Sequence, residues 1–356
     1  MARVFHDGNE TGRHDLLWSR STGHSSGTQG STTRKSGNYS IGYIHSTSIA
    51  STSGASRNLG ANLVEHYGRS EFYLASMSGT NRIIVFRDDG GSHICSIGFS
   101  VSTGLVNVHL YRATTLLASH SEAFSTGTWV RLEWHLVVDD TSGVFELKRN
   151  GDSILSFNGD TRGSASVNGV RTLGLGRLYS SSNDLSVFFD DIAINDTTGS
   201  VNNSWVGPGS ILLLKPKGPG NYTQWTPDSG NNFARVNEIP YSAAAYVESD
   251  TADQIDTYEM QELAADLGVD TSDPSFNIKA VQHLMMGRWQ EAETELARVL
   301  RLGGVDNTGT AVTLSNAYYR YWDEMFNVNP FDSQPWEVAD LNNLEAGIKH
   351  KEWGGP

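Results

Sequence analysis

Cysteine is almost missing from this 356-residue chain, and the single Cys95 excludes both an internal disulfide framework and a zinc site built on thiolates. Proline is scarce as well, 9 against 37 glycines, so the turns fall largely to glycine. No run of about 18 apolar residues occurs, which excludes a membrane-spanning helix of the ordinary kind. The opening Met1-Ala2-Arg3-Val4-Phe5-His6-Asp7 lacks a basic patch followed by an apolar stretch, so the chain is expected to fold in the cytoplasm of the cell that makes it. Basic clusters are missing too. The net charge is −14, and residues 231–356 carry 21 acidic against 8 basic side chains, whereas residues 1–230 carry 19 against 18. A phosphate backbone would be repelled by that acidic third, so no nucleic-acid partner is expected. The 11 histidines show no His-x3-His or His-Glu-x-x-His spacing, and no serine sits in a Gly-x-Ser-x-Gly elbow.

What is present is a period of two. Arg82–Arg87, Ile94–Val101, Leu105–Tyr111, Trp129–Val138, Val144–Arg149 and Leu185–Ile194 are short β-branched or aromatic runs. Asp89-Gly90-Gly91, Ser102-Thr103-Gly104, Asp139–Gly143 and Asn150-Gly151 separate them. Strands at such spacing, with no helical stretch among them, imply an antiparallel sandwich. Asn150-Gly151 signals a type I′ hairpin, because both central positions need positive φ. Within Trp129–Val138 one face carries Val130, Leu132, Trp134, Leu136 and Val138 and belongs to the core. The other carries Trp129, Arg131, Glu133, His135 and Val137; Glu133 is expected there as an exposed partner of Arg131. From Ser19 to Gly60, 25 of 42 residues are Ser, Thr or Gly, a loop composition, with one alternating strand at Tyr39–Ile44.

Gly127-Thr128-Trp129, the strand after it, Gly143–Leu147 with Asn150-Gly151, and Phe188–Ile194 together resemble the concanavalin-A-like, laminin-G-like jelly roll. The opening Phe5–Gly12 is similar to the short first strand that such domains place beside their last. Phe188–Gly199, Trp205–Gly209 and Gln224–Pro227 resemble structural proteins of tailed bacteriophages, which carry that jelly roll and a second C-terminal module. The resemblance implies a non-enzymatic virion protein: a tail fibre, tail-tip adhesin or capsid decoration, partnered by copies of itself and other virion proteins, and engaging a host-surface glycan. A carbohydrate-binding lectin and a polysaccharide depolymerase are the alternatives. No cofactor is implied.

The C-terminal third reads two ways. Trp289, Ala292, Leu296, Val299 and Leu300 before Gly303-Gly304 match an amphipathic helix, while the phage-like reading makes Glu295–Leu302 a strand. Phe276–Met286 alternates like a strand, Thr310–Trp322 is rich in strand formers, and a short helix is expected near Val338–Leu344. The expectation is therefore an all-β chain: a jelly roll over residues 1–201, a connecting segment over 202–253, and a smaller β-sandwich with one short helix over 254–356.

Candidate chemistry is sparse. The laminarinase-like branch of the fold places its carboxylates as Glu-x-Asp-x-x-Glu; Glu248–Asp253 is the nearest match and fails at its last residue and in its polar interleaving. The resemblance to laminin-G-like domains implies that Asp190 and Asp191, at this point of the last strand, accept backbone hydrogen bonds from a neighbouring loop. They are also calcium candidates with Asn195, since that ion needs about six oxygens. Trp205, Tyr222 and Trp225 are the candidates for stacking on sugar rings, or for locking the two sandwiches together.

Overall fold

A computed structural model describes residues 2–20, 28–30, 32–45, 53–163, 169–178, 183–289, 293–314 and 319–352. The chain divides into two compact units, Met1–Leu212 and Leu213–Pro356.

The strands of the first unit are β1 Arg3–Asp7, β2 Ser19–Arg20, β3 Thr28–Gly30, β4 Ser40–His45, β5 Ser53–Leu63, β6 Glu65–Met77, β7 Thr80–Arg87 and β8 His93–Ser102. They continue with β9 Leu105–Arg112, β10 Thr115–Ser125, β11 Trp129–Val137, β12 Gly143–Arg149, β13 Asp152–Gly159, β14 Val170–Arg177 and β15 Leu185–Asp196. One sheet has the order β13-β12-β11-β6-β15-β4-β3, with β1 added on β15; the other runs β10-β9-β8-β7-β14-β5-β2. All pairings are antiparallel, and the two sheets form a jelly-roll sandwich. The β12–β13 turn has φ of 54° at Asn150 and 99° at Gly151, the geometry that hairpin requires.

Inward residues of facing strands make the core. Phe72 of β6 stacks on Phe99 of β8 at 4.6 Å, and Phe86 of β7 packs on Trp134 and Phe145 of β11 and β12. Trp134 lies over Gly68, where an added Cβ would fall 2.1 Å from the indole. That strand-interior glycine is the space the large side chain needs. The serine- and glycine-rich stretch holds a strand that composition concealed: β5, whose Ala55, Leu59 and Leu63 are buried.

Residues 202–253, expected as a connector, are divided between the units. Residues up to 211 are bonded onto the first unit, as described below. The rest open the second, whose elements are β16 Pro216–Thr223, β17 Thr226–Pro227, α1 Asn232–Arg235, β18 Val247–Glu248, β19 Ile255–Met260, β20 Val281–Gly287 and β21 Thr294–Leu302. β22 Val305–Thr308, β23 Val312–Thr313, β24 Arg320–Phe326, α2 Val338–Asn342 and β25 Glu345–Glu352 complete it. A six-stranded sheet, β16-β19-β25-β21-β22 with β23 beside β21, forms one layer and the β20–β24 ribbon packs on it. The helical alternative gives way to β21 over Thr294–Leu302, because pairing with β25 and β22 puts Leu296, Val299 and Leu300 in the core, while Ala292 lies outside the described residues. Residues 276–280 are not strand, and the expected strand over Thr310–Trp322 is broken into β23 and the start of β24, with 315–318 outside the described residues. One short helix was expected; α1, a single four-residue turn, adds a second.

Trp134 is fully buried. Trp134→Ala should therefore lower stability by about 3–5 kcal/mol in urea unfolding, and a cost under about 1 kcal/mol would contradict its place in the core.

Candidate functional site

Alternation along β6 sends Phe72 and Leu74 inward and leaves Tyr67, Arg69, Glu71 and Tyr73 on the outer face of the eight-stranded sheet. Antiparallel register aligns these with residues of β11 and β15 in rows that cross the strands. Trp129, Tyr73 and Phe188 form the first row, Arg131, Glu71 and Asp190 the second. Glu133 and Arg69 follow, then His135 and Tyr67. In the first row the ring centroids of Tyr73 lie 5.4 Å from Trp129 and 5.9 Å from Phe188, and all three side chains are half-buried.

Residues 204–211 cross the other half of this face as a strap. Gly207 N–H donates to Glu133 Oε1 at 2.7 Å, and Arg69 Nη1 donates to the Gly207 carbonyl at 3.1 Å. Ile211 N–H donates to Asp191 Oδ1 at 2.6 Å, and Asn195 Nδ2 to the Ser204 carbonyl at 2.8 Å. Trp205 seats the strap's start: Lys148 Nζ lies 3.7 Å from its ring centroid, and Tyr67 and His135 meet it edge-on at 5.4 and 6.0 Å. Glu133 is thus corrected from an exposed side chain to one 2% exposed, bonded to Arg131 Nε at 2.9 Å as well as to the strap. His135 stacks on Tyr67 at 4.2 Å between two carboxylates, Glu65 on Nε2 at 2.8 Å and Glu146 on Nδ1 at 3.0 Å.

A second surface segment, residues 32–39, is tied down in the same way. Asp190 Oδ2 accepts the N–H groups of Lys35 and Ser36 at 2.9 and 3.2 Å, and its Oδ1 accepts Asp191 N–H at 2.8 Å. Asp191, at φ 47° in a bulge of β15, accepts the Ser36 hydroxyl at 2.9 Å. Glu10 accepts the N–H groups of Asn38 and Tyr39. Burial, with the Asp191 charge beside it, pushes the Asp190 carboxyl up to about 8 despite its backbone donors. Burial also raises Asp191, Glu10 and Glu71.

The three calcium candidates therefore face different partners: Asp190 and Asp191 turn to residues 35, 36 and 211, whereas Asn195 accepts from Arg3 Nε at 2.6 Å. Among the described residues no group of three or more His, Cys, Asp or Glu side chains is arranged to hold a metal ion. The three stacking candidates also separate. Trp205 belongs to the first unit and is half-buried against Lys148, Tyr67 and His135. Tyr222 and Trp225 belong to the second, Tyr222 under Arg301 with its hydroxyl on Asp306, and Trp225 edge-on to His350. The half-buried row Trp129, Tyr73 and Phe188 went unread in the sequence. Its one local signal was an aromatic at position 129 on the strand face that carries Arg131, Glu133 and His135.

No protein-family model matches the chain, and no curated protein is similar to it in sequence. Several solved structures are similar to part of the chain. A cellulose-induced protein, Cip1, is 19% identical over 58% of this chain and 100% of its own, with a TM-score of 0.43. A conserved carbohydrate esterase from the Shiga toxin-encoding bacteriophage phi24B is 14% identical over 54% of this chain and 97% of its own, at 0.39. Alginate lyase Aly36B is 11% identical over 51% and 96%, at 0.34. At these identities and TM-scores the likeness carries no reading of activity for this chain. The expectation that it is no enzyme is nevertheless withdrawn: the similar structures include an alginate lyase and a carbohydrate esterase, and that expectation rested on missing motifs, which do not exclude catalysis.

Because Asp190 is raised, its protonated form is favoured in the folded state, and its contribution to stability is full below about 3.8 and lost as pH climbs toward 8. A melting profile from pH 4 to 9 should fall over that window in the native protein and more gently in Asp190→Asn. Since N–H donors already occupy the carboxylates of Asp190 and Asp191, millimolar calcium should leave the melting temperature unchanged; a rise of several degrees would place the ion there.

Proposed function

We propose that the first unit engages a carbohydrate chain on the outer face of its eight-stranded sheet, across the row Trp129, Tyr73 and Phe188. The observation that carries this reading is the row itself: three half-buried aromatic rings in register on adjacent strands, beside a row of charged side chains. Sheet faces turned to water normally carry polar residues, and aromatic rings left on one offer an apolar surface with polar groups at its margin. Sugars present the matching combination of C–H faces and hydroxyl rims. Arg131 and Glu71, one row away, supply a donor and an acceptor. The sequence resemblance to tailed-phage structural proteins supports a virion part built of several copies and meeting a host-surface glycan.

The test is calorimetric titration with a panel of β-1,4-linked glucan, mannan, xylan and uronan hexasaccharides, with product analysis of each mixture to read cleavage. Trp129→Ala should weaken the tightest-binding hexasaccharide by about tenfold or more, as truncation of an aromatic anchor does. Its melting temperature should stay near that of the native protein. Binding that survives the loss of all three rings would refute the reading.

A further inference from the structure

We propose that Glu71 is the hydrogen-bonding anchor of this face, its ionised carboxylate accepting paired hydroxyls of a sugar, so that binding releases a proton. The inference rests on the carbohydrate reading and names the residue that recognises the ligand's polar rim.

Glu71 stands apart from the buried acids that hold the two surface segments. It is 6% exposed, yet among the described residues no hydrogen bond or ion pair reaches its carboxylate. Glu10, Glu133, Asp190 and Asp191 each accept at least two donors. The side chain is buried, yet its carboxylate oxygens still reach solvent. Its position decides what they can accept. Along β6 it follows Arg69 and precedes Tyr73; across the sheet it lies between Arg131 of β11 and Asp190 of β15. Asp191 and Lys35 of the 32–39 segment complete the charges around it. It therefore adjoins the central ring of the aromatic row. A pair of adjacent hydroxyls donates two hydrogen bonds in a geometry that a carboxylate can accept with both oxygens.

Burial raises the free Glu71 carboxyl above its ordinary 4.5, against the pull of Lys35. Hydroxyl donors stabilise the ionised form, so the bound carboxyl titrates lower than the free one. Affinity should therefore climb as pH rises through the free group's titration and level off above it.

The experiment titrates the full chain with the tightest-binding hexasaccharide of the panel at pH 4.5 to 8, in two buffers of different ionisation enthalpy that together count released protons. Native protein should bind more tightly as pH rises and release a proton over that window. Glu71→Gln should bind about tenfold or more weakly at pH 7, as loss of charge-assisted bonds implies, with no proton release. Trp129→Ala should bind weakly but keep the pH dependence. Melting supplies an independent measure: Glu71→Gln should melt at or above the native temperature at pH 8, since it removes an unpartnered charge. A markedly lower melting temperature would assign Glu71 a structural role and overturn the proposal. Native-like affinity and pH profile in Glu71→Gln, with binding lost in Trp129→Ala, would overturn it while leaving the carbohydrate reading intact. No binding by native protein to any hexasaccharide would overturn both.

Discussion

Backbone N–H groups of two surface segments depend on carboxylates buried beneath them. Glu133 and Asp191 hold Gly207 and Ile211 of the strap, while Asp190 and Glu10 hold residues 35, 36, 38 and 39. Each such hydrogen bond contributes about 0.5–1.5 kcal/mol, or about 1.5–3 kcal/mol where the carboxylate is charged, and removing the acceptor would leave buried donors unsatisfied. Desolvation of these acids is the opposing cost, visible in the raised carboxyls of Asp190, Asp191 and Glu10. The outer face of the sheet is thus in part a second, polar interior. Two segments without regular structure gain a defined path across it.

That arrangement divides the face. The half under the strap is closed around Arg69, Glu133 and Trp205, and its polar atoms are spent on internal bonds. The half holding Trp129, Tyr73 and Phe188 keeps its rings accessible, on strands whose inward residues are locked in the core. Rigid support beneath an open surface is what preorganised recognition needs, since little ordering remains to oppose binding.

The second unit applies the same device on a smaller scale. Asp256, fully buried, accepts the Trp225 N–H, the Asn232 amide and the Tyr258 hydroxyl, tying the start of that unit to β19. Arg298, also buried, is bonded to Glu324 of the ribbon and to Asn307. Much of the unit's acidity is exposed instead, as at Asp250, Asp270 and Asp273, where it keeps the surface hydrated.

Local pattern alone determined the strands with strong alternation, the inward faces of Trp129–Val138 and the Asn150-Gly151 turn, because side-chain period and turn stereochemistry act within a few residues. The resemblance to laminin-G-like domains marked Asp190 and Asp191 as acceptors for a neighbouring loop. Tertiary structure decided the rest. Glu133 looks solvent-facing in its strand, and only the strap that folds over it makes it buried. Trp205 looks like a free aromatic until Lys148, Tyr67 and His135 pack against it. Trp129, Tyr73 and Phe188 are 56 and 115 residues apart along the chain, and the pairing of β11, β6 and β15 is what makes them neighbours. Glu71 shows nothing unusual in sequence. Its meaning comes from being left without a partner on a face where the other buried acids have theirs, a property of the packed sheet and of no single strand.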